Sequence, residues 1–297
     1  MGFATRTPFD WQLRTRTLAL GERTLVMAAV NLTPDSFSGD GLAGAAHEEA
    51  VKVAIQRIDG GADILDLGAE STRPGALPVS ASDEQERLLP VLEAVLRERP
   101  SAIVSVDTYH ASTARAAIAA GAEIVNDVSG LLWDDAMGET VAELCAGLVL
   151  MHTRGRPTEW RTQPPIPAAD VVPLVLDGLD ERLATARAAG ILQNRIVLDP
   201  GFGFGKRGDE NFALLAGFER FSELGRPLLA GLSLKGFLGA VVAPLNALSR
   251  VNATMAANVA AILAGAHIVR IHDLQEAREA IAVADAITAS TLPSLSL

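Results

Sequence analysis

Three times the chain closes an alanine-rich or amphipathic stretch with a Gly-Ala pair and runs straight into β-branched apolar residues. The copies are Gly61-Ala62-Asp63-Ile64, Gly121-Ala122-Glu123-Ile124 and Gly265-Ala266-His267-Ile268. A glycine in that place ends a helix in the left-handed conformation, and the apolar run after it begins a strand. The separations are unequal, which excludes a tandem solenoid. What repeats is a local order of helix, glycine and strand, which is β/α alternation.

Short apolar runs between helical patterns number eight, at 24–30, 63–67, 102–106, 123–126, 148–152, 195–199, 227–232 and 267–272. Strands that are apolar at nearly every position suit a parallel sheet buried on both faces. Helical patterns lie at about 44–59, 82–98, 110–120, 134–145, 169–190, 210–224, 251–264 and 274–289. Eight strands each followed by a helix, in 297 residues, predict an α/β fold of the TIM (βα)8 type, for which ~250 residues is usual. No Gly/Ser-rich or Pro-rich linker splits the chain, so the expectation is a single domain. A short N-terminal extension occupies 1–23, the barrel 24–290 and a C-terminal tail 291–297. The long segments 31–44, 68–81 and 154–170 all follow strands and belong on the C-terminal rim, where such barrels carry their sites.

Charge narrows the class of ligand. The net charge of −11 argues against a general nucleic-acid or acidic-membrane surface, so an anion has to be held by a local basic cluster. The single cysteine, Cys145, cannot form an internal disulfide, which fits a reducing compartment. The uncharged run 251–266 carries Asn252, Thr254 and Asn258 and is too short for a membrane span. Residues 1–23 lack the apolar core of a signal peptide. The expected location is the cytoplasm.

Polar residues sit where these strands end: Asn31, Asp66, Asp107, Asn126 with Asp127, His152, Asp199, Ser233 with Lys235, and Arg270 with His272. Each alone reads as a satisfied strand end or cap. Gathered at one rim, buried charges need one another or a ligand as partners. Arg270 and His272 are two apart in a strand and share a face, as do Ser233 and Lys235 if the strand continues that far. A guanidinium beside an imidazole suits a phosphate or diphosphate.

"DPGFGFGK", residues 199–206, imitates a nucleotide loop but fails both patterns. Pro200 stands where a P-loop needs glycine, Arg207 follows Lys206 instead of Ser or Thr, and Lys206 occupies the third glycine of a dinucleotide fingerprint. Its glycines instead let Phe202 and Phe204 turn in beside Asp199, which suits a planar heterocycle with an amidine-like donor edge. Ser71, Thr72 and Arg73 lie on a loop closed by Pro74-Gly75 and offer an arginine that can cover an anion. Asn31 can hold a hard cation through oxygen, but no carboxylate cluster stands near it, so a Mg²⁺ has to lean on substrate phosphates.

Taken in order, "NLTPDSFSGDG", "GAESTRPGA", "SVDTYH", "EIVNDVSG", "LVLMHTRG", "LDPGFGFGK", "GLSLKGFLG" and "IVRIHDL" resemble the dihydropteroate synthase family over about residues 24–285. The resemblance implies a (βα)8 barrel, usually a homodimer and the target of sulfonamides. The implied reaction condenses 6-hydroxymethyl-7,8-dihydropterin diphosphate with 4-aminobenzoate, giving 7,8-dihydropteroate and pyrophosphate in folate synthesis. Carried over position by position, Asp107, Asn126, Asp199 and Lys235 form the pterin pocket. Asn31, Arg270 and His272 match the diphosphate ligands, with Mg²⁺ near Asn31. Thr72 and Arg73 match the loop that closes over the substrates, and Phe202 with Ser233 borders the aminobenzoate site. Lys235, Asp107, Asp199 and Arg270 carry the catalysis by this resemblance. The implied chemistry is ionisation of the carbon–oxygen bond to a pterin-methyl cation, with no protein nucleophile.

The chain departs from the family pattern at Ser233-Leu234-Lys235-Gly236, where serine-arginine-lysine is usual and the next residue is often serine. Ala69 replaces a usual glycine, Thr153-Arg154 follows His152, and "SRVNATM" stands where the family tends to glutamate-arginine. Arg154 and Arg250 are the candidates to compensate for the missing charge. These departures keep a second reading open, a pterin-binding paralogue that takes a different amine or does not turn over.

Overall fold

The computed structural model describes residues 4, 6–32, 43–70, 76–242 and 247–290; Thr72, Arg73 and the tail 291–297 lie outside the described residues. A hairpin of β1 (Phe9–Gln12) and β2 (Thr17–Leu20) precedes eight parallel strands. These are β3 (Leu25–Asn31), β4 (Ile64–Gly68), β5 (Val104–Asp107), β6 (Ile124–Asp127), β7 (Gly147–Met151), β8 (Ile196–Asp199), β9 (Leu229–Ala230) and β10 (Ile268–Ile271). They pair in the order β8-β7-β6-β5-β4-β3-β10-β9, and a parallel bridge from Leu198 to Leu228 brings the two ends of the sheet together. Every predicted strand is present, and the architecture is the predicted TIM barrel.

Around the barrel run α1 (Ala43–Asp59), α2 (Ala81–Glu98), α3 (Ala111–Ala119), α4 (Met137–Leu144), α5 (Ala168–Ala188), α6 (Gly208–Ala216), α7 (Gly236–Val241), α8 (Ala247–Leu263) and α9 (Leu274–Ala289). The three Gly-Ala modules close their helices identically. Gly61, Gly121 and Gly265 have φ of +96°, +112° and +101°. In each, the alanine N–H reaches the carbonyl five residues back, at 3.0, 3.0 and 2.9 Å, and the glycine N–H reaches the one three back. That is the Schellman closure, and it ties off the orphan carbonyls before the strand begins. At the other end of α2, Ser80 caps the helix by accepting from the Asp83 N–H at 3.1 Å, with Asp83 and Glu84 in the first turn, where the helix dipole favours carboxylates.

Alternate residues of each strand face opposite ways. Val104, Val106, Leu148, Leu150, Leu65 and Leu67 point out into the layer packed against the helices. Met27, Ile64, Ile124, Val149, Val197, Leu229 and Ile268 point in and fill the lower barrel together with Trp11, Leu13 and Leu20 of the hairpin. The N-terminal extension is therefore a folded plug. The Trp11 indole N–H donates to the Arg195 carbonyl at 2.8 Å, and the buried Glu123 carboxylate accepts from the Thr15 N–H at 2.8 Å and from Arg16 at 3.2 Å. With the lower barrel filled by side chains, only the upper, C-terminal end is left for polar groups.

Two elements differ from expectation. The helix predicted over 210–224 stops at Ala216, and a 3-10 helix, Phe218–Leu224, takes up the rest. β9 is only two residues long, and the short α7 starts at Gly236 ahead of α8.

Candidate active site

Two residues further up β4, β6, β8 and β10, the inward positions turn polar. Asp66, Ser105, Asp107, Asn126, Asp199 and Arg270 all follow the apolar layer on the inward parity. Gly68 and Gly231 keep the space between them clear. A Cβ at Gly68 would lie 3.2 Å from the Asp107 Cβ, and one at Gly231 would lie 3.4 Å from Asp199 Oδ2.

Arg270 is the centre of the first cluster. Its Nε donates to Asp66 Oδ2 at 2.6 Å and its Nη2 to Asp107 Oδ2 at 2.9 Å. Burial opposes its charge, but Asp66, Asp107 and Asp199 together outweigh that and raise its pKa. Asp107 is pushed up to about 7 by burial, against the pull of Arg270. Asn126 donates its amide to the same Asp66 oxygen at 3.1 Å.

The second cluster surrounds Lys235. Its ammonium lies 4.2 Å above the Phe204 ring centroid, a cation–π contact. Burial lowers its pKa to about 8 although Asp199 pulls the other way. Asp199 is raised by burial and accepts from the Gly201 N–H at 2.7 Å through Oδ1. Lys235, Asp199 and Arg270 lie close enough for each to act on the charge of the others, so groups from β8, β10 and the N-terminus of α7 gather at one end of the barrel.

His272 forms the third. Its Nδ1 and backbone N–H both meet Ser233 Oγ, at 3.0 and 3.1 Å, and Asn31 Nδ2 lies 3.4 Å from its Nε2. Burial, reinforced by Arg270 and Lys235, lowers its pKa to about 4 and keeps the imidazole neutral. Ser233 is therefore a partner of His272.

The glycine-rich loop corrects one assignment and explains another. Phe202 does not border the site. Its ring is fully buried in the outer layer, stacked with Phe218 at 6.2 Å and Phe237 at 6.4 Å, and Phe204 is the ring that meets Lys235. Glycine turns reset the alternation that strand parity would give, so the first phenylalanine goes out and the second goes in. Gly201 has φ +70°, and a Cβ there would sit 2.0 Å from the His152 carbonyl oxygen. Lys206 is no phosphate ligand: its buried ammonium donates to the carbonyls of Gly201 at 2.8 Å and of His152 and Phe204 at 3.3 Å, stapling the loop.

Other strand-end groups are structural. Asp127 accepts from the Ser129 and Leu131 N–H groups, and His152 faces α5 at Gly178. Leu234 adopts a left-handed φ of +56°, held by its N–H on Thr254 Oγ1 at 3.0 Å. This kink ends the strand geometry between Ser233 and Lys235, so the two do not share a strand face. Arg154 is committed to the carbonyls of Gly205 and Pro164, and Arg250 is exposed alongside Gly239 of α7.

For a metal, no group of three or more His, Cys, Asp or Glu among the described residues is arranged to hold one. With its amide nitrogen turned to His272, Asn31 has a single hard oxygen to offer. That donor set fits a Mg²⁺ carried in on phosphate oxygens and does not fit an all-protein cage.

The comparisons agree with this geometry. The family described as pterin binding enzyme matches residues 27–272. A dihydropteroate synthase of Synechocystis is 38% identical over 282 residues, covering 95% of this chain and 93% of that protein. The Xanthomonas albilineans dihydropteroate synthase solved with 4-aminobenzoic acid superposes with a TM-score of 0.86 at 38% identity, covering 97% of this chain and all of that one. The same enzyme in complex with 7,8-dihydropteroate gives 0.80 at 37% identity, over 93% and 97% of the two chains. A polar ring that joins an arginine, a lysine and carboxylates above a filled barrel, in a chain with these relatives, belongs to the dihydropteroate synthase family of pterin-binding enzymes.

Proposed function

We propose that this site condenses 6-hydroxymethyl-7,8-dihydropterin diphosphate with 4-aminobenzoate to 7,8-dihydropteroate and pyrophosphate, and that its own residues divide the work as follows. The observation that carries it is the gathering of Lys235, Asp199 and Arg270 at the C-terminal end of the barrel. Asp199, with Oδ1 held by Gly201, keeps Oδ2 for the donor edge of the pterin, and Asn126 offers the acceptor beside it. Lys235 spans the ring's carbonyl side while Phe204 supports it from behind.

Arg270, with three of its five N–H bonds uncommitted after Asp66 and Asp107, takes the diphosphate together with His272. Asn31 would hold Mg²⁺ through its amide oxygen, and the ion, when bound, supplies charge neutralisation to the leaving group. The carbon–oxygen bond breaks with its electron pair going to diphosphate. The arylamine nitrogen then bonds to the exocyclic carbon and loses a proton to solvent. Asp107 and Asp199 steady the electron-poor ring, and preorganised electrostatic groups of this kind each lower the barrier by about 3 kcal/mol.

Thr72 and Arg73 keep their role as closing-loop residues in this proposal. Dimerisation and cytoplasmic location are carried with it on the family resemblance, to be checked by sedimentation and fractionation. No described helix is long and apolar enough to cross a membrane. The test of the reaction is a coupled pyrophosphate-release assay run with and without 4-aminobenzoate. The expected result is release that needs both substrates and matches dihydropteroate formed; pterin binding without release points to the non-catalytic paralogue.

A further inference from the structure

Asp66 is the most buried carboxylate of the site, with no exposed surface, and none of the bonds made or broken in the reaction involves it. Its Oδ2 accepts two hydrogen bonds, from Arg270 Nε at 2.6 Å and from Asn126 Nδ2 at 3.1 Å. Its Oδ1 has no partner, and neither does the buried hydroxyl of Ser105, its neighbour across the β4–β5 ladder. A buried charge left half unsatisfied is expensive, so its placement needs a reason beyond stability.

We propose that Asp66 is the positioning residue of this site, fixing which atoms Arg270 and Asn126 present to the pterin diphosphate. By holding Nε, it fixes the guanidinium plane so that Arg270 reaches Asp107 with Nη2 and turns its remaining N–H bonds to the ligand. By taking the Asn126 NH₂, it locks the amide flip, because the opposite orientation would set the Asn126 oxygen against a carboxylate. Asn126 is then an acceptor toward the substrate and selects a ring N–H. One carboxylate oxygen thereby couples the diphosphate subsite to the pterin subsite.

This rests on the dihydropteroate synthase reading, and the test separates the two. In the full chain, Asp66→Ala removes both acceptor contacts, with Asp66→Val taking its place where alanine does not fold. Asp66→Asn keeps an oxygen for both donors, puts its NH₂ at the orphan position beside Ser105, and removes only the charge. The expected result is a fall of about 100-fold in kcat/KM for the pterin diphosphate in the alanine variant. The asparagine variant recovers to within about tenfold of wild type, and the KM for aminobenzoate stays within about twofold in both, because that substrate touches neither ligand of Asp66. Calorimetric binding of inorganic pyrophosphate, which needs no turnover, is expected to weaken in the order wild type, Asn, Ala. Equal losses in Asn and Ala, or tighter pyrophosphate binding once the negative charge is gone, overturn the proposal in favour of a purely electrostatic role. Wild-type protein that binds pyrophosphate but makes no dihydropteroate would instead sink the functional reading and leave the binding order to judge Asp66.

Discussion

Replacing Lys235 by methionine is expected to move activity and stability in opposite directions. The ammonium sits in a buried setting that lowers its pKa from 10.5 to about 8. A tenfold change in proton affinity corresponds to about 1.4 kcal/mol, so the charged form is about 3 kcal/mol less stable in the folded protein than in the open chain. Methionine keeps the stem's place beside Gly203 and removes that penalty. The attraction of Asp199 is already contained in that shift, so the expected gain at pH 7 is at most about 3 kcal/mol.

The pH dependence has a definite sign. Between about pH 8 and 10.5 the unfolded chain binds the Lys235 proton more strongly than the folded one, so this residue makes wild-type stability rise with pH across that window. The methionine variant lacks that rise. Turnover falls by about 10²–10³, the effect of deleting one preorganised electrostatic group. Denaturant unfolding at pH 7 and pH 9.5, paired with steady-state pyrophosphate release, measures both. A variant that is less stable at pH 7 and keeps its kcat would refute the placement of Lys235 as a partly buried cation serving the substrate.

Phe202→Ala is expected to lower stability by about 3–5 kcal/mol, as a ring lost from a packed layer, with substrate KM values little changed; Phe204→Ala raises them, and steady-state kinetics beside unfolding curves separates the two. Leu234→Arg is expected to change the Michaelis constant for 4-aminobenzoate, read from initial rates at saturating pterin diphosphate; an unchanged value marks the position as permissive. Asn258 is buried in α8 with neither side-chain polar atom partnered, so Asn258→Val is expected to stabilise by about 1–3 kcal/mol in denaturant titration.

Much of this fold was legible because a doubly buried parallel strand has nowhere to hide its composition. Runs such as Leu65, Leu67 and Val104 mark strands without help from their neighbours, and the Gly-Ala modules mark the helix ends before them. The inward ring was legible for the same reason, since a period of two is fixed once the strand is known. What escaped lay where no period holds. The β1–β2 hairpin has strands of only four residues, and its partner is the barrel floor, which no local pattern announces. The phenylalanines of the 199–206 loop are separated by a glycine turn that cancels alternation, so proximity to Asp199 gave no way to choose Phe204 over Phe202. Asp66 showed itself as a polar strand residue, but its role depends on Arg270 and Asn126, each at least 60 positions away, and only the closed barrel joins them.

The arrangement of the site is tested most directly by a crystal structure of the protein with 6-hydroxymethyl-7,8-dihydropterin diphosphate bound. The ring's donor edge is expected on Asp199, its N–H on Asn126 Oδ1, Lys235 across its carbonyl side and the diphosphate on Arg270 and His272. A ring bound away from Asp199, or a diphosphate that leaves Arg270 untouched, would contradict it.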